Sequence, residues 1–328
     1  MSVLVTGGAG YIGSHAVIDL LSAGEEVLVL DDLSTGFDWA VQVPENLYVG
    51  DIADETLLAR IIAERKVEAV IHFAGSVVVP ESVVNPLKYY LNNTAKSRSL
   101  IEACVKGGVK HFIFSSTAAV YGMTGEAAVS EDVPLNPISP YGVSKLMTEW
   151  MLRDTAAAHE LTYVALRYFN VAGGDPKGRI GQSTTNATHL IKVACQTALG
   201  QRPYIDVFGE DYPTKDGTCI RDYIHVSDLA AAHTSALIYL RNGGSSLVAN
   251  CGYGHGFSVR EVLRSVERAA GHSIEIRQAP RRLGDPASVV SNPARIKEAL
   301  GWTPNYDDLD MIVSHALAWE TKLRERNR

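Results

Sequence analysis

Tyr141 and Lys145 stand four residues apart in the stretch SPYGVSK, a spacing that can support proton transfer. Ser139 and Pro140 just before them are typical of a helix start, because a hydroxyl caps the first turn and proline fits its first position. Residues four apart lie on one face of a helix, so the ammonium would lie beside the phenol. Taken alone, the pair also fits an ordinary exposed contact, and its surroundings must decide between the two interpretations.

A glycine-rich loop, GGAGYIG, follows the first predicted strand, Val3–Thr6, and precedes an amphipathic predicted helix, Ile12–Ala23. Gly7, Gly10 and Gly13 give the spacing G-x-x-G-x-x-G, and Gly8 with the latter two also gives G-x-G-x-x-G. Glycines let a pyrophosphate approach the amides at the helix start, where the helix dipole favours an anion. A plain tight turn is the alternative, but the strand and helix around the loop favour a dinucleotide site.

An acidic pair supports the same interpretation. Asp31 directly follows the next predicted strand, Glu26–Leu30, and lies 18 residues beyond Gly13, where an acceptor for a ribose 2′-hydroxyl is expected. Asp31 and Asp32 together would repel a 2′-phosphate. The sequence therefore predicts NAD rather than NADP.

Beside a nicotinamide, Tyr141 gains a chemical role. Tyrosine titrates near 10, so a phenolate at neutral pH requires about 4 kcal/mol of preferential stabilisation. Lys145 and the positive ring of NAD⁺ would both favour the anion. The hydroxyls of Ser115, Ser116 and Thr117 end another predicted strand, where open α/β sheets place their ligands. One of these hydroxyls could bridge the phenolate and the reacting oxygen of a substrate.

Strands and helices alternate over the first 170 residues. The predicted strands are Val3–Thr6, Glu26–Leu30, Ala69–Phe73, His111–Ser115 and Tyr163–Arg167, and the predicted helices are Ile12–Ala23, Leu57–Lys66, Pro86–Lys106 and Tyr141–His159. This rhythm predicts an α/β fold with a Rossmann-type doubly wound parallel sheet.

The rhythm loosens after about Asn170, where two loops, 173–188 and 209–217, are predicted. Two later helices have clear start signals, the first a capping box at Ser258 and Glu261, the second at Asn292. We expect an NAD-binding domain over 1–170, to which about 218–250 returns, and a smaller C-terminal α/β lobe for substrate over 171–328.

Composition excludes several classes of protein. The 328 residues carry a net charge of −7 with no basic run, which argues against nucleic-acid and anionic-membrane partners. The longest apolar stretch, 67–79, is too short to span a bilayer. The histidines lack metal-binding spacings, so no metal is expected. The four cysteines are scattered, which predicts inert buried thiols in a reducing, cytoplasmic compartment.

Seven motifs occur in order between about residue 2 and about residue 300: TGGAGYIGSH, HFAG, FSSTAAVYG, SPYGVSK, LRYFN, DYPTKDGTCIRDYIHV and APRRLGD. Together they resemble the extended short-chain dehydrogenase/reductases, and most closely the UDP-glucose 4-epimerases among them. The resemblance implies tightly held NAD, a UDP-hexose substrate, interconversion of UDP-galactose and UDP-glucose through a 4-keto sugar, and a homodimer. Helices Pro86–Lys106 and Tyr141–His159 are the candidates for the dimer contact.

The resemblance also implies site residues. The catalytic set would be Thr117, Tyr141 and Lys145. The residues implied for NAD are Gly7, Gly10, Tyr11, Ile12, Gly13, Asp31, Asp32, Leu33, Ser34, Thr35, Gly36, Asp51, Ile52, Phe73, Ala74, Gly75, Ser76, Val77, Asn93, Tyr141, Lys145 and Phe169. The residues implied for the UDP-sugar are Thr117, Tyr141, Asn170, His189, Leu190, Asp206, Val207, Phe208, Arg221, Arg282 and Asp285. Guanidinium groups suit a diphosphate, which agrees with the two arginines.

Three positions depart from the family pattern. Val77 stands where some of these epimerases carry lysine, and His189 where others carry asparagine. His189 fits a substrate contact and a satisfied polar residue between the lobes equally well. Ser288, to within one residue, stands where a bulky aromatic limits the sugar pocket in some members. A small residue there predicts room for the N-acetyl group of UDP-N-acetylhexosamines.

Thr117 is followed by Ala118 and Ala119, where the sugar-nucleotide dehydratases of the family carry an acidic pair and the decarboxylases tend to carry a glutamate. Alanine can act as neither acid nor base, which leaves chemistry at C4 of the sugar. The alternatives are a UDP-uronate or UDP-pentose 4-epimerase, a 4-keto-sugar reductase, and a non-catalytic NAD-binding protein. The last would be expected to lack the Tyr141–Lys145 pair.

Overall fold

The structure is a computed structural model that describes residues 1–125, 128–185, 187–282 and 285–326. Two residues of the APRRLGD motif, 283 and 284, and residue 186 of the predicted loop 173–188 lie outside the described residues.

Fourteen strands occur in the described residues. They are β1 Ser2–Thr6, β2 Glu26–Asp31, β3 Leu47–Val49, β4 Val67–His72, β5 His111–Thr117, β6 Thr162–Tyr168, β7 Asn170–Ala172, β8 Ile205–Phe208, β9 Ile220–Arg221, β10 Tyr223–His225, β11 Leu247–Cys251, β12 Phe257–Ser258, β13 Ile276–Ala279 and β14 Ser288–Val289. Seven form a central sheet in the order β11-β6-β5-β4-β1-β2-β3, with every pairing parallel. The predicted Rossmann-type sheet is confirmed. The strand order reverses direction between β1 and β4, the point at which such sheets bind ligands.

Eleven α-helices occur in the same residues. They are α1 Tyr11–Ser22, α2 Glu55–Glu64, α3 Val79–Val84, α4 Pro86–Tyr89, α5 Lys96–Gly107, α6 Pro140–Ala158, α7 Leu190–Ala198, α8 Val226–Arg241, α9 Val259–Ala270, α10 Ala294–Leu300 and α11 Leu309–Arg326. The prediction of one regular helix over 86–106 is wrong in detail, because a π-helical segment, Tyr90–Ala95, separates α4 from α5. Such segments widen a helix locally and are frequent at functional sites.

Alternation along each strand divides the core into two layers. On β1, Val3 and Val5 face one layer and Leu4 the other, and Val29 and Leu30 on β2 divide in the same way. Each fully buried side chain of this kind contributes about 1.5–3 kcal/mol. The sheet is therefore covered on both faces, as a doubly wound fold requires.

Residues beyond 170 also contribute to the central sheet. β11 pairs with β6 at one edge, and α8 packs against α1. Neither β3 nor β11 was predicted as a strand. The proposed domain boundary at 170/171 stays a prediction. No helix in the described part of the chain is both long and apolar enough to cross a membrane.

Candidate active site

The glycine loop forms a tight cradle between β1 and α1. Gly7 adopts a left-handed conformation, with φ +72°, and a Cβ there would lie 2.6 Å from the amide nitrogen of Ala74. A Cβ on Gly13 would collide with the carbonyl group of Gly7. Gly10 caps α1 without a side chain, so the first amides of the helix keep no side-chain partner. These residues fit a pyrophosphate, which needs close approach to free amides.

Asp31 ends β2 beside this loop. Its Oδ2 accepts a hydrogen bond from the amide of Ala9 at 2.9 Å, and its Oδ1 accepts one from Leu33 at 2.9 Å. Burial raises the pKa of Asp31, and the two amide bonds oppose that rise. Gly36 then returns to the loop, where a Cβ would lie 2.9 Å from Ala9. The segment 31–36, which includes Asp32, Ser34 and Thr35, thus borders the glycine loop.

Asp51 and Ile52 follow β3, one strand further out. Ile52 is buried, and the Asp51 carboxylate pairs with the Nζ atom of Lys96 at 2.5 Å. Burial alone would raise the pKa of Asp51, but the hydrogen bond and charge of Lys96 outweigh it and lower the pKa. No local pattern indicates this partner, because Lys96 is 45 residues away.

The segment 73–77 follows β4 and is held by Asn93 from the π-helical segment. The amides of Phe73 and Ala74 donate to the carbonyl of Thr6. The amide of Ser76 donates to Oδ1 of Asn93 at 2.7 Å, and Asn93 donates back to the carbonyl of Ser76 at 2.9 Å. Gly75 lies beside this amide group and beside the Lys145 ammonium, whereas Val77 is half-exposed.

The helix that carries Tyr141 begins as predicted. Ser139 caps α6 by accepting a hydrogen bond from the amide of Gly142, and Pro140 occupies the first turn. Both Tyr141 and Lys145 are buried, and the hydroxyl of Thr117, at the end of β5, lies near the Tyr141 phenol. The predicted trio is therefore brought together at the carboxyl ends of the strands.

The electrostatics of the trio differ from the expectation for Lys145. Burial raises the pKa of Tyr141, and the nearby Thr117 hydroxyl opposes the rise only in part. Burial lowers the pKa of Lys145 to about 8, and its ammonium donates to the carbonyl of Ser115 at 2.9 Å. The protein alone therefore favours the neutral phenol, and an added positive charge is needed to form the phenolate at neutral pH.

Three aromatic neighbours of the trio were missed by sequence reasoning. The Tyr168 hydroxyl bonds to the hydroxyl of Ser115, and burial together with the nearby Tyr141 raises its pKa. The Tyr89 ring meets that of Tyr141 edge-on at 6.4 Å, and the ring of His233 lies 4.6 Å from that of Phe73. Phe169 packs against an adjacent apolar cluster. These rings come from elements that no short-range spacing connects.

On the other side of the site, two short strands each end in a residue that contacts a charged side chain from the segment before β14. Arg221 at the end of β9 pairs with Asp285 at 3.1 Å. The guanidinium of Arg282 lies 3.8 Å from the ring centroid of Phe208, the last residue of β8. Asp206 and Val207 precede it on that strand. The two arginines thus offer cations that suit a diphosphate, and Phe208 offers a ring that suits a nucleotide base.

Asn170, His189 and Leu190 line one cavity together with Gln182 and Lys192. The Nδ1 atom of His189 lies 2.8 Å from the amide nitrogen of Gln182, and burial lowers the pKa of the imidazole. The side chain therefore has a protein partner, and it also lines the cavity.

Asp222 is a buried residue that sequence reasoning did not select. Its carboxylate accepts hydrogen bonds from the amides of Tyr253, Gly254 and Ser291 at 3.0–3.1 Å and from the Ser291 hydroxyl at 2.6 Å. Its own carbonyl accepts from the amide of Asn170. Because Asp222 follows Arg221, it holds two candidate substrate segments together. The sequence carries no local signal for this role, because the partners Tyr253 and Ser291 lie 31 and 69 residues away.

Comparison with known proteins places the chain in a family. The NAD dependent epimerase/dehydratase family matches residues 3–252. A UDP-glucose 4-epimerase from Azospirillum brasilense is 58% identical over 98% of this chain and 93% of its own length. The structure of a UDP-glucose 4-epimerase from Brucella ovis in complex with NAD is 45% identical, with a TM-score of 0.94 over 96% of this chain and 97% of that one. A UDP-Glc/GlcNAc 4-epimerase from Campylobacter jejuni is 46% identical, with a TM-score of 0.86 over 98% and 99%. The chain therefore belongs to the NAD-dependent epimerase/dehydratase family, among its UDP-glucose 4-epimerases.

Proposed function

We propose that this protein is an NAD-dependent UDP-glucose 4-epimerase that interconverts UDP-galactose and UDP-glucose through a transient 4-keto sugar. The observation that carries the proposal is the buried Tyr141, near the Thr117 hydroxyl and one helical turn from Lys145, beside a glycine cradle. Ala118 and Ala119 next to Thr117 supply no acid or base, so the chemistry stays at C4.

Each member of the trio has a distinct task. Tyr141 takes the proton from the sugar O4 and returns it after the keto sugar has turned over. Thr117 donates to the phenolate or to O4 as charge moves between them. Lys145 binds the cofactor's ribose and places a positive charge near the phenolate. The cofactor, when bound, accepts hydride from C4 and returns it, so the cycle is redox-neutral and the cofactor stays in place.

Asp31 and Asp32 favour NAD over NADP. A second acid at this position opposes a 2′-phosphate, while the Asp31 carboxylate, fixed by two amides, suits a ribose hydroxyl. We also assign Tyr11 and Ile12 to the pyrophosphate of NAD, and Asp51 and Ile52 to its adenine. Protein that purifies loaded mainly with NADP would contradict this choice.

The substrate is held mainly by its nucleotide. We assign Arg221 and Arg282 to the diphosphate, with Asp285 orienting the first, and assign segment 206–208 to the uracil. Asn170, His189 and Leu190 complete this side. Strong binding of UDP and weak binding of the hexose allow the keto sugar to rotate between the two hydride transfers.

The decisive experiment incubates the purified protein with UDP-galactose, UDP-glucose, UDP-glucuronate and a UDP-pentose, without added cofactor, and identifies the products by NMR. We expect UDP-galactose and UDP-glucose to interconvert to one equilibrium mixture. A need for stoichiometric added NAD contradicts the mechanism. Faster turnover of the uronate or pentose makes the chain a 4-epimerase of that sugar, net NAD(P)H consumption makes it a reductase, and bound NAD without turnover leaves a binding protein.

UDP-N-acetylhexosamines are a second candidate substrate pair. Ser288 on β14 pairs with Ile220, one residue from Arg221, and a side chain this small is expected to leave room beside the proposed sugar site. The Campylobacter jejuni relative is described as acting on both UDP-Glc and UDP-GlcNAc. We expect UDP-N-acetylglucosamine to be turned over, and replacement Ser288→Tyr to slow it more than UDP-glucose. Undetectable turnover of the N-acetyl sugar by the unmodified protein discards the idea.

A homodimer is also proposed. Exposed apolar side chains, Val83, Leu87 and Leu91, lie on α3, α4 and the π-helical segment, and Trp150 on α6 is 46% exposed. Burying them against a second copy would remove apolar surface from water. We expect a dimer mass by light scattering, and a monomer for Leu87→Glu. A monomeric unmodified protein contradicts the proposal.

The remaining proposals concern the domains and the compartment. We propose that residues 1–170, joined by about 218–250, form the NAD-binding domain, and that the rest forms the UDP-sugar lobe; β11 and α8 support the return. A cytoplasmic location is supported by the four cysteines, all of which lie among the described residues as buried free thiols.

A further inference from the structure

Helix α11 touches two segments that border the glycine loop, although it lies at the far end of the chain. One is the segment 36–40, which continues from the proposed adenosine site. The other is the segment 173–181, which follows β7. Because α11 contacts both, it can influence a cofactor that is bound at the glycine loop.

The first segment is fixed to the glycine loop at one end and to α11 at the other. The amide of Phe37 donates to the carbonyl of Ala9 at 3.0 Å. The Trp39 ring lies 5.1 Å from that of Phe37 and 6.1 Å from that of Trp319 on α11. The guanidinium of Arg326, also on α11, lies 4.0 Å from the Trp39 ring centroid. Trp39 therefore packs near two residues of this helix.

The second segment is held by the same helix. Trp319 is buried, and a Cβ on Gly181 would collide with its indole ring. Lys322 donates to the carbonyl of Gly178 at 3.1 Å. At its other end this segment accepts, at Gly173, a hydrogen bond of 2.8 Å from the hydroxyl of Tyr11 in the glycine loop.

We propose that Trp39 and Arg326 are positioning residues for cofactor retention: by anchoring the segment 31–40 to α11, they keep it closed over the adenosine end of NAD and slow NAD release. The inference rests on the proposed function for the identity of the cofactor. A redox-neutral cycle requires such retention, because loss of the cofactor while it is reduced would strand a keto sugar. An aromatic ring that packs near an indole and under a guanidinium makes stabilising contacts that take no part in the chemistry.

The test measures cofactor exchange rather than turnover. Holoprotein is mixed with excess isotopically labelled NAD, and bound unlabelled NAD is followed by mass spectrometry. We expect Trp39→Ala to release NAD at least tenfold faster than the unmodified protein, and Arg326→Gln about threefold faster. Trp39→Phe, which keeps a ring, should exchange at nearly the original rate. Arg324→Gln is the matched control, since Arg324 on the same helix donates to the carbonyl of Leu199, away from Trp39.

Circular dichroism and UDP affinity establish that each variant is folded. A folded Trp39→Ala protein that exchanges NAD at the unmodified rate overturns the inference. Should Trp39→Ala fail to fold, Arg326→Gln decides, and an exchange rate equal to that of Arg324→Gln overturns the inference. Failure of the proposed function has a different result: the unmodified protein would then hold no NAD or leave UDP-galactose unchanged.

Discussion

On the cofactor side of the site, backbone pairing between parallel strands places the candidate residues, whereas on the substrate side buried carboxylates do so. Asp31, segment 73–77 and Thr117 each follow or end a strand of the central sheet. Arg221, by contrast, lies on a two-residue strand whose neighbours are held by Asp222. A sheet positions many residues through the same backbone pairing, whereas the substrate segments depend on a single side chain, the carboxylate of Asp222, which we call the carboxylate hub.

The difference matters for the reaction that is proposed. Hydride and proton transfer require groups held within fractions of an ångström, which a rigid sheet supplies. Binding a UDP group and then releasing it requires segments that can part, and loops joined by a few hydrogen bonds open more readily. Substitutions on the cofactor side should therefore affect turnover or NAD binding. Substitutions on the substrate side should affect UDP-sugar binding.

Tyr141→Phe should give the largest effect. Removing the base is expected to lower turnover of UDP-galactose by about 1,000-fold or more, because general-base catalysis contributes about 10²–10⁴. NAD content and UDP affinity should stay within about twofold, since the ring remains in place. Tyr89→Phe, a neighbouring ring 6.4 Å away, is the control and should retain most of the activity. Turnover within tenfold of the original would remove Tyr141 from the mechanism.

Gly13→Ala should give the next largest effect, on NAD binding. The new methyl group would meet the carbonyl of Gly7, so the loop must shift away from the pyrophosphate position. We expect NAD affinity to fall by about 100-fold by calorimetry, which is about 2.7 kcal/mol, while UDP affinity is kept. Gly125→Ala, where a Cβ meets nothing within 4 Å, is the control. Equal loss of UDP and NAD affinity would contradict the proposed difference between the cofactor side and the substrate side.

Asp222→Asn tests the substrate side. The side-chain NH₂ of asparagine would point at backbone N–H groups that now donate to the Asp222 carboxylate. Those buried N–H groups would lose their acceptor, which is costly. We expect the KM for UDP-galactose to rise about tenfold with kcat and NAD content nearly unchanged. Asp211→Asn, at an exposed carboxylate, is the control. A fall in kcat with an unchanged KM would show that the hub serves the chemistry instead.

The same contrast explains which parts could be predicted from the sequence. Gly13, Asp31 and the Tyr141–Lys145 pair act within short windows, where turn sterics, strand ends and helical spacing have local signatures. The role of Asp222 has none, because its partners Tyr253 and Ser291 are 31 and 69 residues away. Likewise, the strand β3 has only three partly exposed residues and stands out in no apolar pattern.

His72 supplies a predicted effect on stability rather than on binding or turnover, and one confined to the cofactor side. It is buried in β4 with ring nitrogens bonded to the hydroxyls of Thr6 and Ser97 at 2.7 and 2.8 Å. Burial, aided by the charge of Lys145, lowers its pKa to about 3. Between pH 6.5 and about 3 the unfolded chain binds a proton here that the folded chain does not, so stability falls as the pH falls through this window.

Replacing His72 by Asn removes this proton uptake. The free energy of unfolding, measured in urea at pH 7.5 and pH 5, should therefore fall by about 2 kcal/mol less in His72→Asn than in the unmodified protein. His272→Asn, at an exposed site, is the control. The variant and the unmodified protein could instead lose equal stability between the two pH values. His72 would then not be held neutral in the fold, and water would reach the interior around β4 more easily than its hydrogen bonds indicate.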